Sequence, residues 1–161
     1  MTTTATKPPT TQPTLTHAEG NAKAWAERIA SAHEAHQFCT EGGEGRDLSR
    51  EAKALLHEFN HDGDNLDDVA EAIKEHMRES VLSVDVRSTW QSVGEHLEAF
   101  EYQILLSYGG PALRLTGELD EHSEPYRVFM QHQDWGTPWI QWFDVDRAAL
   151  SWFACLFWFG E

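Results

Sequence analysis

Residues 65–87, NLDDVAEAIKEHMRESVLSVDVR, contain the change of period on which the fold turns. In the first half Leu66, Val69, Ala70, Ile73 and Met77 recur at spacings of three and four, the buried stripe of an amphipathic helix. Asn65 suits the cap, and Asp67 and Asp68 occupy the first turn, where the positive end of the helix dipole favours carboxylates. After Ser80 the period falls to two. Leu82, Val84 and Val86 alternate with Ser83, Asp85 and Arg87, which predicts a half-buried strand.

Upstream of this switch the chain reads as helix. Ala18 to about Gln37 is rich in helix formers, with Ala24, Trp25, Arg28, Ile29 and Ala32 at helical spacing. The three glycines of TEGGEGR, residues 40–46, predict a loop. Leu48, Ala52, Leu55, Leu56 and Phe59 then mark a second helix, capped by Asp47 or Ser49. The first sixteen residues contain eight Thr and three Pro and read as a disordered tail, without the apolar stretch of a signal peptide.

Downstream the strands continue. Tyr102–Tyr108, Leu113–Leu119 and Tyr126–Gln133 predict three more, Trp139–Phe143 a fifth, with Gly109-Gly110-Pro111 and residues 120–125 as turns. Asp144 or Asp146 would cap a last helix over Arg147–Phe159, closed by Gly160. The fold class is α+β: N-terminal helices, a mostly antiparallel four- to five-stranded meander, then an apolar C-terminal helix. The expected organisation is a 1–16 tail and one domain over 17–161, helical over 17–79 and sheet plus helix over 80–161. The last helix, with Leu150, Phe153, Ala154 and Phe157 on one face, is too short to span a bilayer. It packs either on the rest of the chain or on a second copy, as a homodimer.

Composition excludes several functions. Of 161 residues, 27 are Asp or Glu against 12 Lys or Arg, a formal charge of -15. Such a surface neither displaces counterions from a nucleic acid nor binds anionic lipid. Two cysteines, Cys39 and Cys155, are too few for a disulfide framework or a thiolate zinc site, and read as reduced thiols of a cytoplasmic protein.

Two features point to chemistry. His57-Glu58-Phe59-Asn60-His61 matches H-E-x-x-H, in which imidazoles four apart on a helix bind one zinc ion while the glutamate acts as base on metal-bound water. The third ligand would have to be Glu71, Glu75 or His76. The structural alternative is a solvated helix face opposite Leu55, Leu56 and Phe59. Asp62, Asp64 and Asp67 lack the Gly and Glu of a calcium loop. His33 with His36 has no third ligand in its helix.

The second feature is the spread of acid over every element, including Glu95, Glu98, Glu101, Glu118, Asp120, Glu121 and Glu124 around the sheet. Carboxylates spaced like phosphates enter a basic nucleic-acid channel and gain the same electrostatic steering. The bland alternative is solubility. Trp135, Trp139 and Trp142 either stack on a ligand or pack on the last helix; packing is the expectation.

The runs Leu82–Ser88, Gly109–Ala112, Gly117–Leu119, Asp134–Trp139 and Phe157–Gly160 resemble those of short uncharacterised proteins carried by integrative conjugative elements and plasmids of proteobacteria. The resemblance covers residues 82–160 and implies a mobile-element context, with no activity attached. Charge and context together lead to a non-catalytic inhibitor of a host defence system, of anti-CRISPR or antirestriction type, needing no cofactor. It would occupy the nucleic-acid site of a basic partner, such as a CRISPR or restriction nuclease subunit, through Glu98, Glu101, Glu118, Asp120, Glu121 and Glu124. The alternatives are a zinc-dependent hydrolase using His57, Glu58 and His61, and an accessory adaptor of a mobile element.

Overall fold

The computed structural model describes residues 15–42, 47–60 and 65–160. Four helices and five strands follow in the order α1 (His17–Glu41), α2 (Arg50–Phe59), α3 (Leu66–Glu79), β1 (Ser83–Ser88), β2 (Ala99–Ser107), β3 (Ala112–Glu118), β4 (Phe129–Gln133), β5 (Ile140–Trp142) and α4 (Arg147–Ala154). The sheet is an antiparallel meander with strand order β1-β2-β3-β4-β5, so the expected α+β architecture is found.

Each helix start is fixed by a side chain that satisfies otherwise orphaned N–H groups. Thr16 Oγ1 accepts from Glu19 N at 3.2 Å, and the Glu19 carboxylate accepts from Thr16 N at 2.7 Å, a reciprocal capping box. Thr16 therefore belongs to α1 rather than to a tail; the rest of the predicted 1–16 tail, up to residue 14, lies outside the described residues. Ser49, Asn65 and Asp146 cap α2, α3 and α4. Ser49 also gives its N–H and hydroxyl to the two oxygens of Glu34, which ties α2 to the middle of α1.

The core lies between the sheet and one layer of helices. α1 is its centre: it packs on α2, α3 and α4 and on β3 and β4. Its buried positions are mostly small (Ala18, Ala22, Ala26, Ala32 and Ala35, with Ile29 between), which lets neighbouring backbones approach closely. The sheet contributes Tyr102, Ile104, Leu106, Leu113, Leu115 and Met130, and α4 contributes Leu150 and Phe153.

Three sequence expectations change. The predicted last helix ends at Ala154, and the chain continues through turns in which Phe159 returns to stack on Tyr102, ring centroids 4.7 Å apart. Its apolar stripe is covered by α1 within the same chain, because Leu150, Phe153 and Ala154 are buried there. Leu66, expected in the α3 stripe, is exposed at the first turn. The largest difference is β1, where Leu82, Val84 and Val86 are exposed. The helical layer packs on β3 and β4 and does not extend across β1, so the alternation has no cover.

Candidate functional site

The sheet register decides the state of two of the six candidate carboxylates. Glu101 on β2 lies directly opposite Glu118 on β3, a repulsive pairing by itself. Arg87 stands opposite Glu101 on the other side, giving its Nε to Glu101 Oε2 at 2.7 Å, and Arg127 Nη1 reaches Glu118 Oε1 at 3.2 Å. The result is a row in which two adjacent glutamates are flanked by arginines, Arg87–Glu101–Glu118–Arg127. Glu101 and Glu118 are thus neutralised within the chain.

Arg114 occupies the same open face, at the centre of the sheet. Its Nε donates to Gln131 Oε1 at 2.9 Å and its Nη1 to Gln103 Oε1 at 2.6 Å. The guanidinium carbon lies 4.2 Å from the Trp139 ring centroid, a cation–π contact. Both hydrogen-bond partners are neutral; partial burial, with Arg87 nearby, lowers its pKa. A shallow depression of about 410 Å³ spans this face, lined by Asp85, Arg87, Gln103, Arg114, Thr116 and Gln131.

The remaining four carboxylates gather at one end of the sheet. Asp120 Oδ1 accepts from the N–H groups of His122 and Glu124 at 2.8 and 2.9 Å, and these bonds hold its carboxyl below the usual range. This Asx turn fixes the loop that carries Glu121 and Glu124. Glu98, Asp120 and Glu121 line one depression of about 540 Å³, beside Leu97, Val86 and Phe159. Among the described residues no Lys or Arg lines it, and His96 is its one imidazole. Glu121 stands 3.7 Å from His122 Nε2.

The H-E-x-x-H residues are arranged differently from the expectation. α2 ends at Phe59 with Asn60 as its C-cap, so the motif does not run along one helix; His61, like Asp62 and Asp64, lies outside the described residues. His57 and Glu58 are exposed. The three expected third ligands are engaged elsewhere. Glu71 binds Lys74 and Arg78, which hold its carboxyl down to about 2, and Glu75 binds Arg78. His76 hydrogen-bonds Arg28 Nη2 at 3.1 Å and stacks on Phe59. Among the described residues no three His, Cys, Asp or Glu side chains converge on a point that would hold a metal ion.

His33 and His36 both pack on Trp152, ring centroids 5.3 Å away in each case, and burial pushes the pKa of each imidazole down. Of the tryptophans expected in the core, Trp142 packs against it and on His132, Trp139 is half-buried under Arg114, and Trp135 is exposed. Trp135 lies over the β2–β3 turn at Gly110, where a Cβ would fall 1.9 Å from the indole nitrogen. Sequence reasoning passed over Arg114. The available signal was an arginine flanked by Leu113 and Leu115, with Gln103 and Gln131 at the same inward–outward phase on neighbouring strands.

Among the described residues no helix is long and apolar enough to cross a membrane. Comparison with protein-family models, with curated proteins and with solved structures finds no match.

Proposed function

We propose that the chain is a non-catalytic acidic docking protein whose partner is a basic nucleic-acid-binding component of a defence system, a CRISPR or restriction nuclease subunit. The observation that supports this most is the depression lined by Glu98, Asp120 and Glu121, with no Lys or Arg among the described residues that line it, next to a turn that carries Glu124. Apolar Leu97 and Val86 beside these carboxylates provide contact area that charge alone lacks. Glu101 and Glu118 are removed from the contact set, since internal arginines already neutralise them. The contact surface is thus one acidic end of the sheet rather than its whole perimeter.

The test is displacement of a labelled nucleic acid from purified CRISPR effectors and restriction nucleases, at low and high salt. Displacement from at least one of them is expected, weakening as salt rises. The triple variant Glu98→Lys, Glu121→Lys, Glu124→Lys should lose tenfold or more in affinity; Asp120 is left intact because it holds the turn. No displacement from any nuclease, or equal displacement by the variant, defeats the proposal. Metal analysis separates the hydrolase: a zinc site at His57 and His61 retains near-stoichiometric zinc that His57→Ala loses, whereas a docking protein binds none.

A further inference from the structure

The uncovered strand β1 has features that suit a particular occupant. Among the described residues it is an outer strand of the meander, with β2 as its one ladder partner, so its other side presents backbone N–H and C=O groups that no described strand pairs. Its apolar side is in solvent: Leu82 is 60%, Val84 37% and Val86 51% exposed. The connection to β2 adds Trp90, Val93 and Leu97, all exposed. The opposite outer strand, β5, has only three residues and offers much less. Long apolar edges are normally covered or guarded by charge.

β1 has two charges, and they are of opposite sign. Asp85 and Arg87 are two residues apart and so share the open face of the sheet, while Val84 and Val86 share the other. We infer that β1 pairs antiparallel with β1 of a second copy of this chain, about a two-fold axis through Val86, joining two five-stranded sheets into one. That register sets each Asp85 opposite the other copy's Arg87 and Val86 opposite Val86. A shift of the axis to residue 85 or 87 would instead put Asp85 against Asp85 or Arg87 against Arg87, which is repulsive. Arg87 can serve both partners: a guanidinium has five N–H donors, and Glu101 takes only Nε and Nη2.

The high net charge opposes any self-association at long range. At physiological salt that repulsion is screened beyond about 8 Å, whereas the facing Asp85–Arg87 pairs are in contact and survive. The inference does not rest on the proposed partner. An axis normal to the sheet would place the two acidic depressions on the same side of the joined sheet.

Sedimentation equilibrium at 0.15 M salt tests this, with wild type, Asp85→Arg and Arg87→Asp, each checked for folding by circular dichroism. Wild type is expected to dimerise below about 100 μM, and each variant alone, now setting like charges face to face, to associate at least tenfold more weakly. Mixed together, the two variants regain complementarity at both facing pairs and should form a heterodimer of wild-type strength. A wild type monomeric at 100 μM, variants that dimerise as well as wild type, or a mixture that stays monomeric would each overturn the inference. If a variant fails to fold, hydrogen exchange on the wild type decides. The amides of β1 should slow with rising protein concentration, and concentration-independent exchange there refutes the pairing. The nuclease assay above, run on the same variants, reports separately on the docking function.

Discussion

Gly117, one residue before the end of β3, is where the core leaves no room for a methyl group. The Tyr102 ring crosses it from the neighbouring strand, and the Tyr102 hydroxyl donates to the carbonyl of Arg127 at 2.8 Å. A Cβ built on Gly117 would lie 1.7 Å from that same carbonyl oxygen and 2.9 Å from the Tyr102 ring. Alanine at this position is therefore roughly 1.5 Å short of ordinary contact with backbone that has no rotamer to change. The segment around Arg127 must move away, and with it goes the acceptor of the Tyr102 hydroxyl. Overpacking of this kind costs about 1–3 kcal/mol and the lost hydrogen bond about 1 kcal/mol, so Gly117→Ala should cost about 2–4 kcal/mol. In a domain of this size that lowers Tm by about 4–16 °C, readable by thermal unfolding in circular dichroism. Tyr102→Phe isolates the hydrogen bond and should cost about 1 kcal/mol. The double variant should then cost less than the two singles together, since the bond can be lost only once. A Gly117→Ala protein that melts within about 2 °C of the parent, or a strictly additive double variant, would refute this account of the Tyr102–Gly117–Arg127 contact.

Two further predictions concern the helical layer. Phe153 is completely buried where α4 meets the core, and Phe153→Ala should cost about 3–5 kcal/mol, measured as a fall in the urea midpoint at unchanged slope. His33 and His36 have pKa values lowered chiefly by burial; Lys74 and the neighbouring imidazole add to this at His36, against opposing pulls from Asp146, Glu41 and Glu71. The unfolded chain therefore binds more protons than the folded one below the ordinary histidine range. Their contribution is fully present above about pH 6.5 and is lost as pH falls from there toward the lowered values. Urea midpoints at pH 7.5 and 5.5 should differ in that sense, and His33→Gln with His36→Gln should flatten the difference; an unchanged slope would dissociate these histidines from it.

The parts of the fold legible in the sequence are those governed by local rules. α3 can be read from its stripe and from Asn65, and the start of α4 can be narrowed to Asp144 or Asp146, of which Asp146 is the cap, because caps act within one turn. The end of α4 is illegible: a run apolar all round has no periodic face to lose, and the turn that follows Ala154 brings Phe159 onto Tyr102, a contact distant in sequence. β1 was legible as a strand but not as an uncovered one. Alternation records that one face is apolar and is silent about whether a helix reaches it. The fate of the carboxylates depended on register. Arg87 and Glu101 are fourteen residues apart in sequence and become partners only because β1 pairs with β2 in one alignment. The Asx turn at Asp120, by contrast, is local, and its Asp–x–x–x–Glu stretch lay in plain view as a turn.

The position of α1 has a consequence for the birth of the protein. The helix that every other helix packs against is made first, and α4, which covers one of its sides, begins roughly a hundred residues later. At about 5–20 residues per second of translation, that interval is about 5–20 s. Throughout it, a nascent α1 lacks α4 on one flank, and helices in proteins gain most of their stability from such packing. The meander, built from strands adjacent in sequence, can zip up as it emerges and dock its β3 and β4 on α1, but the side of α1 that α4 covers stays open until α4 arrives. Closure of the core therefore waits for α4, and a chain stalled before residues 147–159 would expose the apolar flank of α1 and the Tyr102 ring, surface of the kind that chaperones and proteases recognise.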